Sequence, residues 1–178
     1  MCQFRPETAA DHAAVEAVHR AAFPTDDEAA LVAALRESDA FVPGLSIVAE
    51  ADAGIVGHVL FTEVSVSGGG RTGRDAARPD AALTLAPVAV SPDRQGEGIG
   101  SRLIRHGLDA CREAGYECAV LHGDPDFYSR FGFEPAAPYG FSHPFDLPDA
   151  DFQVLWLTDE ENDRIGGRVT YDAAFLDL

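Results

Sequence analysis

Lysine is absent from this sequence: all 13 basic residues are arginine, set against 30 acidic ones, for a formal net charge of −17 over 178 residues. The absence excludes a Walker A phosphate loop and any Schiff-base amine. So acidic a surface repels nucleic acid and anionic lipid, which removes both from the expected partners. It suits a halophilic protein whose self-repulsion is screened by concentrated salt, with arginine-rich coding in a GC-rich genome as the competing explanation. Cysteine is also scarce. Cys2, Cys111 and Cys118 are odd in number and form no Cys-x-x-Cys pair, which argues against a disulfide framework and a thiolate metal site. Cys111 and Cys118 sit in apolar patterns and read as small core residues rather than nucleophiles. No run approaches the roughly 18 consecutive apolar residues of a membrane span. No basic-then-apolar leader opens the sequence, so a cytoplasmic location is expected.

Apolar residues make up 46% of the chain, enough for a real core, and the length suits one domain over 1–178. Cys2 to Pro6 can open as a strand. Thr8 and Asp11 have capping-box spacing ahead of Val15, Val18, His19 and Ala22 at helical intervals, and Pro24 ends that segment. Asp26 to Glu28 start a second helix carrying Leu31, Val32 and Leu35. Leu45–Glu50, a turn at Asp52–Gly54, and Ile55–Val66 read as a hairpin. Residues 67–81 look like an exposed loop, in which Arg71, Arg74 and Arg78 are more plausibly solvated than ligand-binding.

Leu83–Val90 is a mostly apolar strand interrupted by Pro87, which cannot donate to a ladder, so a bulge or break is expected there. Ile99, Leu103, Ile104, Leu108 and Cys111 form one helical face, stopped by Gly115. Cys118–Leu121 reads as a short buried strand, Asp126–Arg130 as at most a short helix, and Phe152–Leu157 and Val169–Tyr171 as further strands. The mixture points to an α/β or α+β domain.

The sharpest feature is Arg94-Gln95-Gly96-Glu97-Gly98-Ile99-Gly100-Ser101, running from a strand into a helix. Glycines let backbone approach a ligand closely and take positive φ. The first helical amides have no internal partner, and the helix dipole adds positive character there, so the segment suits a pyrophosphate. A dinucleotide loop would need Gly-x-Gly-x-x-Gly or Ala, but Ser101 fills the sixth position, and the segment lies mid-chain with little room for repeated βαβ units.

Gln95-Gly96-Glu97-Gly98-Ile99-Gly100 resembles the Gln/Arg-x-x-Gly-x-Gly/Ala signature of the GCN5-related N-acetyltransferase (GNAT) superfamily. Val88-Ala89-Val90-Ser91-Pro92 resembles that family's fourth strand. Phe127-Tyr128-Ser129-Arg130-Phe131-Gly132-Phe133 resembles its Tyr-x-x-x-Gly-Phe segment. Gly123-Asp124-Pro125 is similar to a bacterial and archaeal subgroup of predicted acetyltransferases. The motifs are in register over roughly residues 3–135.

The resemblance implies a GNAT fold: a mixed, mostly antiparallel twisted sheet flanked by helices, with strands 4 and 5 splayed around acetyl-CoA. It implies that Val88 and Val90 pair with the pantetheine arm. It also implies that the amides of Gln95, Gly96, Gly98, Ile99, Gly100 and Ser101 hold the pyrophosphate, and that Tyr128 protonates the leaving thiolate. Where many members carry an asparagine after the fifth strand, this chain reads His122-Gly123-Asp124-Pro125, and that contact is not assigned. Glu63, His58 and His122 are candidates for the base, none preferred. The implied activity is acetyl transfer from acetyl-CoA, as co-substrate and without a metal, to a small-molecule or peptide amine by direct attack. A non-catalytic acyl-CoA sensor is the alternative. The acceptor is expected near the first two helices and the 136–151 loop, which holds Tyr139, Phe141, His143, Phe145 and Asp146. Nothing in the sequence fixes the oligomeric state, and a homodimer is compatible with it.

Overall fold

The computed structural model describes residues 1–68, 82–159, 164 and 166–177; the arginines at 71, 74 and 78 lie outside them. Among the described residues there are eight strands: β1 (Gln3–Pro6), β2 (Phe41–Ala51), β3 (Gly54–Ser67), β4 (Ala82–Val90), β5 (Cys118–His122), β6 (Glu134–Pro135), β7 (Phe152–Trp156) and β8 (Arg168–Thr170). The helices are α1 (His12–Ala22), α2 (Asp27–Arg36), α3 (Ile99–Glu113) and the single turn α4 (Pro125–Tyr128). The strand order is β1-β2-β3-β4-β5-β7-β6, with β8 beside β3. Registered pairs are antiparallel except β4 with β5. This is the mixed, mostly antiparallel sheet flanked by helices that the sequence led us to expect. The parallel register of β4 with β5 is three pairs long, from Ala82↔Cys118 to Thr84↔Val120, and ends ahead of Pro87.

The chain divides into two compact units. The first comprises Met1–Thr62, Leu85–Cys111 and Asp172–Leu178; the second comprises Glu63–Thr84 and Arg112–Tyr171.

In the first unit the capping box forms as its spacing predicts. The Thr8 amide donates to Asp11 Oδ2 at 2.8 Å and the Thr8 hydroxyl to the same oxygen at 3.1 Å. Arg5 also grips that carboxylate through two nitrogens, at 2.7 and 3.0 Å, and holds it well below the usual carboxylate range. Helix α1 then buries Val15, Val18 and His19, and α2 buries Leu31, Val32 and Leu35.

Helix α3 turns Ile99, Leu103, Ile104, Leu108 and Cys111 inward, none more than 3% exposed. Each large aliphatic side chain so buried stabilises the fold by about 1.5–3 kcal/mol. Two glycines set how closely α3 lies on β3. A β-carbon at Gly57 would stand 2.9 Å from Leu103 Cδ1, and one at Gly107 would collide with the ring of Phe61. The start of α3 is therefore fixed by close packing along its length.

The second unit is organised by β7, whose five residues are all buried. β7 pairs with β5 from Cys118↔Trp156 to His122↔Phe152, and with the two-residue β6 at Glu134↔Val154 and Pro135↔Gln153. β6 is too short to leave a periodic signal, and β2 begins at Phe41 rather than Leu45. Irregular register between Phe41 and Ser46 masks the alternation at that end of β2. Among the described residues, no helix is long and apolar enough to cross a membrane.

Candidate active site

The second half of β4 alternates strictly. Leu85 and Ala89 are 4% exposed, while Ala86, Val88 and Val90 are half-buried. Period-two geometry puts Val88 and Val90 on the same face. The Ser91 amide donates to the Val56 carbonyl at 2.9 Å, tying the end of β4 to β3. Gln95 then folds its side chain back, with Nε2 donating to the Val90 carbonyl at 3.1 Å. This contact closes the loop as a compact turn from strand to helix.

Gln95, Gly96, Glu97 and Gly98 are exposed, and Gly96 and Gly98 have φ of 81° and 77°. Only glycine takes that region without strain, so the two residues aim the loop backbone where a chiral residue would not. A β-carbon at either position meets no described atom within 4 Å. The first amide of α3 to turn inward is that of Arg102, 3.1 Å from the Gly98 carbonyl. Helix geometry leaves the amides of Ile99, Gly100 and Ser101 ahead of it for an outside acceptor. Ile99 is 1% exposed, so its side chain belongs to the core and only its amide is available.

Two arginines near the loop are engaged by neighbours. Arg94 is chelated by Glu97 through contacts of 2.8–3.0 Å. Arg102 lies 5.5 Å above the ring of Phe4.

In the second unit, Tyr128 ends α4. The turn is begun by Asp124, whose carboxylate accepts from the Asp126 amide at 2.9 Å, and by Pro125 at the first helical position. The Tyr128 ring lies among Phe127, Phe131 and Phe133 at centroid distances of 4.9, 6.3 and 5.9 Å. It is half-buried, and burial pushes its phenol above the ordinary tyrosine value. The hydroxyl therefore keeps its proton at neutral pH, as a proton donor must. Its ring rests on Gly123, whose amide donates to the Asp151 carbonyl at 3.0 Å and whose carbonyl accepts from Gln153 Nε2 at 3.1 Å.

The three candidate bases have separate fates. Glu63 accepts the Tyr116 hydroxyl at 2.5 Å. His58 is wholly buried, with Nδ1 2.9 Å from His19 Nε2 and Nε2 2.8 Å from the Ser46 hydroxyl. Glu7 and Arg36 complete that network through a twofold contact at 2.8 and 2.9 Å, with the Glu7 side chain only 3% exposed. These groups are accounted for by the structure they hold together. His122 is half-buried, stacked on Phe152 at 4.6 Å and edge-on to His143 at 4.4 Å. The 136–151 loop folds onto it. Sequence reasoning placed His143 in that loop but could not see its pairing, because the two histidines are 21 positions apart. Among the described residues, no group of three or more His, Cys, Asp or Glu could hold a metal ion.

Comparison with known proteins bears on the whole chain. The family model described as acetyltransferase (GNAT) domain matches residues 3–136. The chain is 36% identical over 172 residues to the uncharacterized N-acetyltransferase YhbS of Escherichia coli K12, covering 96% of each. It is 35% identical over 150 residues to the uncharacterized N-acetyltransferase YjhQ of the same organism, covering 83% of this chain and 77% of that one. The crystal structure of E. coli YhbS in complex with CoA superposes with a TM-score of 0.87 at 34% identity, covering 98% of this chain and 92% of that one. A GNAT family acetyltransferase from Brucella melitensis, solved in complex with acetyl-CoA, gives a TM-score of 0.74 at 35% identity, covering 98% of both chains.

Proposed function

Because the chain belongs to the GNAT family of acetyltransferases, we propose that it carries the acetyl group of acetyl-CoA to an amine by direct attack, acting as one catalytic domain. The observation that carries this reading is the start of α3. Exposed glycines at positive φ lead into a helix terminus whose first amides lack helical partners, with room for a ligand where side chains would stand. The residues present therefore fit an acyl-CoA. In this reading the amides of Gln95, Gly96, Gly98, Ile99, Gly100 and Ser101 hold the pyrophosphate. Val88 and Val90, on the half-buried face of β4, pair with the pantetheine arm. The CoA and acetyl-CoA complexes of the E. coli and Brucella relatives support the choice of co-substrate.

The amine lone pair attacks the thioester carbonyl, and the developing oxyanion is met by a backbone amide near Val88. As the carbonyl re-forms, the C–S bond breaks and the Tyr128 hydroxyl protonates the departing sulfur. No acyl-enzyme is required and no metal takes part. The acceptor is a small molecule or a peptide amine. The acidic surface supports a protein adapted to concentrated salt inside the cell.

Calorimetry with acetyl-CoA, NAD and ATP tests the binding half, and CoA release with a panel of primary amines tests the transfer. Acetyl-CoA alone should bind, and at least one amine should release CoA in step with acetyl-amine. Binding without turnover would make the chain an acyl-CoA sensor; no binding of acetyl-CoA would end the reading altogether.

A further inference from the structure

The 136–151 loop carries a side chain that its structural role does not explain. The His143 side chain is only 5% exposed, and Nε2 lies 3.2 Å from Asp149 Oδ1. A carboxylate oxygen accepts, so Nε2 carries the hydrogen and the neutral ring keeps its lone pair on Nδ1. That Nδ1 is buried and meets no hydrogen-bond partner among the described residues. A buried polar atom without a partner is uncommon in a folded protein and calls for an explanation.

The loop is built to hold the ring still. On one side of His143, the Ser142 amide donates to the Gly167 carbonyl at 3.0 Å, and the Val169 amide donates to the Ser142 carbonyl at 2.9 Å. Phe141 is buried against Gly166, where any β-carbon would strike its backbone. The ring itself packs on Phe152 at 4.8 Å and Phe145 at 6.3 Å.

His143 also touches the strand end that leads to the proton donor. Its ring meets His122 edge-on, and the next residue, Gly123, seats the ring of Tyr128. We infer that His143, oriented by Asp149, is the proton acceptor for the attacking amine, with His122 as the neighbour that positions it. The inference rests on the acetyltransferase reading and adds to it the group that the three sequence candidates did not supply.

The balance is simple. Attack leaves a positively charged nitrogen on the tetrahedral carbon; its proton passes to His143 Nδ1, while Tyr128 gives its own to the sulfur. The products are the acetyl-amine and CoA thiol. The histidinium returns its proton to solvent beside Asp149, whose side chain is 86% exposed, and the Tyr128 phenolate takes one back. The division of labour follows that of carboxylate–imidazole pairs, in which the carboxylate fixes the tautomer and offsets the imidazolium charge.

Among the described residues, the charged groups that act on His122 beside this pair are His143, Asp151 and Asp149. Burial, followed by the charge of His143, pushes His122 down to about 4, against the opposing pull of Asp151 and Asp149. His122 therefore stays neutral at working pH and leaves a single imidazole to take the proton.

The experiment has two arms on the full chain. Nitrogen-15 NMR of the imidazoles should show His143 as the Nε2–H tautomer at pH 8, with Nδ1 unprotonated. In steady-state kinetics with the most active panel amine, His143→Gln should lower kcat by about 10²-fold or more with acetyl-CoA affinity unchanged. It should also erase the acidic limb of the kcat/KM profile. Asp149→Asn should lower kcat by a smaller factor, and Asp149→Glu should restore it. Wild-type kcat and an intact acidic limb in folded His143→Gln, or an Nδ1–H tautomer in the wild type, overturns the assignment while leaving acetyl transfer standing. A wild-type chain that neither binds acetyl-CoA nor turns over fails at the earlier step and takes the relay with it.

Discussion

The ring of Tyr128 occupies the space that a β-carbon on Gly123 would need: built onto the glycine, that carbon would collide with Tyr128 Cε2 and fall 2.9 Å from Cδ2. The glycine thus sets where the phenol stands, without any chemistry of its own. Gly123→Ala should push the ring aside at a stability cost of about 1–3 kcal/mol. It should lower kcat while leaving the dissociation constant for acetyl-CoA near the wild-type value. Tyr128→Phe is the companion variant. It keeps the ring and loses the proton, so kcat at pH 7 should fall by about 10²–10⁴-fold. The deficit should shrink above about pH 8.5, where a free thiolate no longer requires the proton. In a double-mutant cycle the two changes should be far from additive, since both remove one function. Wild-type turnover in folded Tyr128→Phe would return the residue to the core and remove the acid assignment.

Gly100 offers the cleaner probe of the phosphate loop. At Gly98 any side chain meets strain from a φ of 77°, so lost binding there would mix two causes. Gly100 is absent from the positive-φ glycines, and its β-carbon would make an ordinary 3.5 Å contact with Val90 Cγ2. Gly100→Ala should therefore keep or slightly raise the melting temperature, alanine being the better helix former. If the amides beside it hold the pyrophosphate, acetyl-CoA should bind at least tenfold more weakly, about 1.4 kcal/mol. Unchanged calorimetric affinity in that variant would remove the loop from the binding site.

The legible parts of the molecule were those written in local pattern. The face of α3, the capping box at Thr8 and Asp11, and the glycine loop all depend on residues within a few positions of each other. Periodicity and turn chemistry exposed them directly. The pairing of His143 with His122 and the Glu7–Arg36 clamp depend on which segments the sheet brings together. A two-residue strand such as β6 has too few positions to alternate. His58 shows the same limit from the other side. Its strand was readable, but its use as a link between His19 and Ser46 was not, because neither partner is local.

That buried link makes a prediction about acid stability. Burial, together with the charge of Arg36, pushes His19 down to about 4, against the opposing pull of Glu7. Burial, then the charges of His19 and Arg36, put His58 well below its ordinary value. In the unfolded chain both titrate near 6.5. Between those limits the unfolded state binds the more protons, so stability must fall as pH falls. The contribution is fully present above about pH 6.5 and is lost progressively below it. The expected slope is about 1.4 kcal/mol per pH unit for each histidine, and for His19 alone the loss reaches roughly 3 kcal/mol by pH 4. Urea unfolding at pH 7.5, 6.5, 5.5 and 5.0 reads the slope. His58→Gln keeps a donor and an acceptor for its two neighbours but cannot titrate, so its slope below pH 6.5 should be shallower by about one histidine's share. Stability that is level from pH 6.5 to 5.0, or an identical slope in His58→Gln, would mean that the His19–His58 pair takes up its proton without opening the fold.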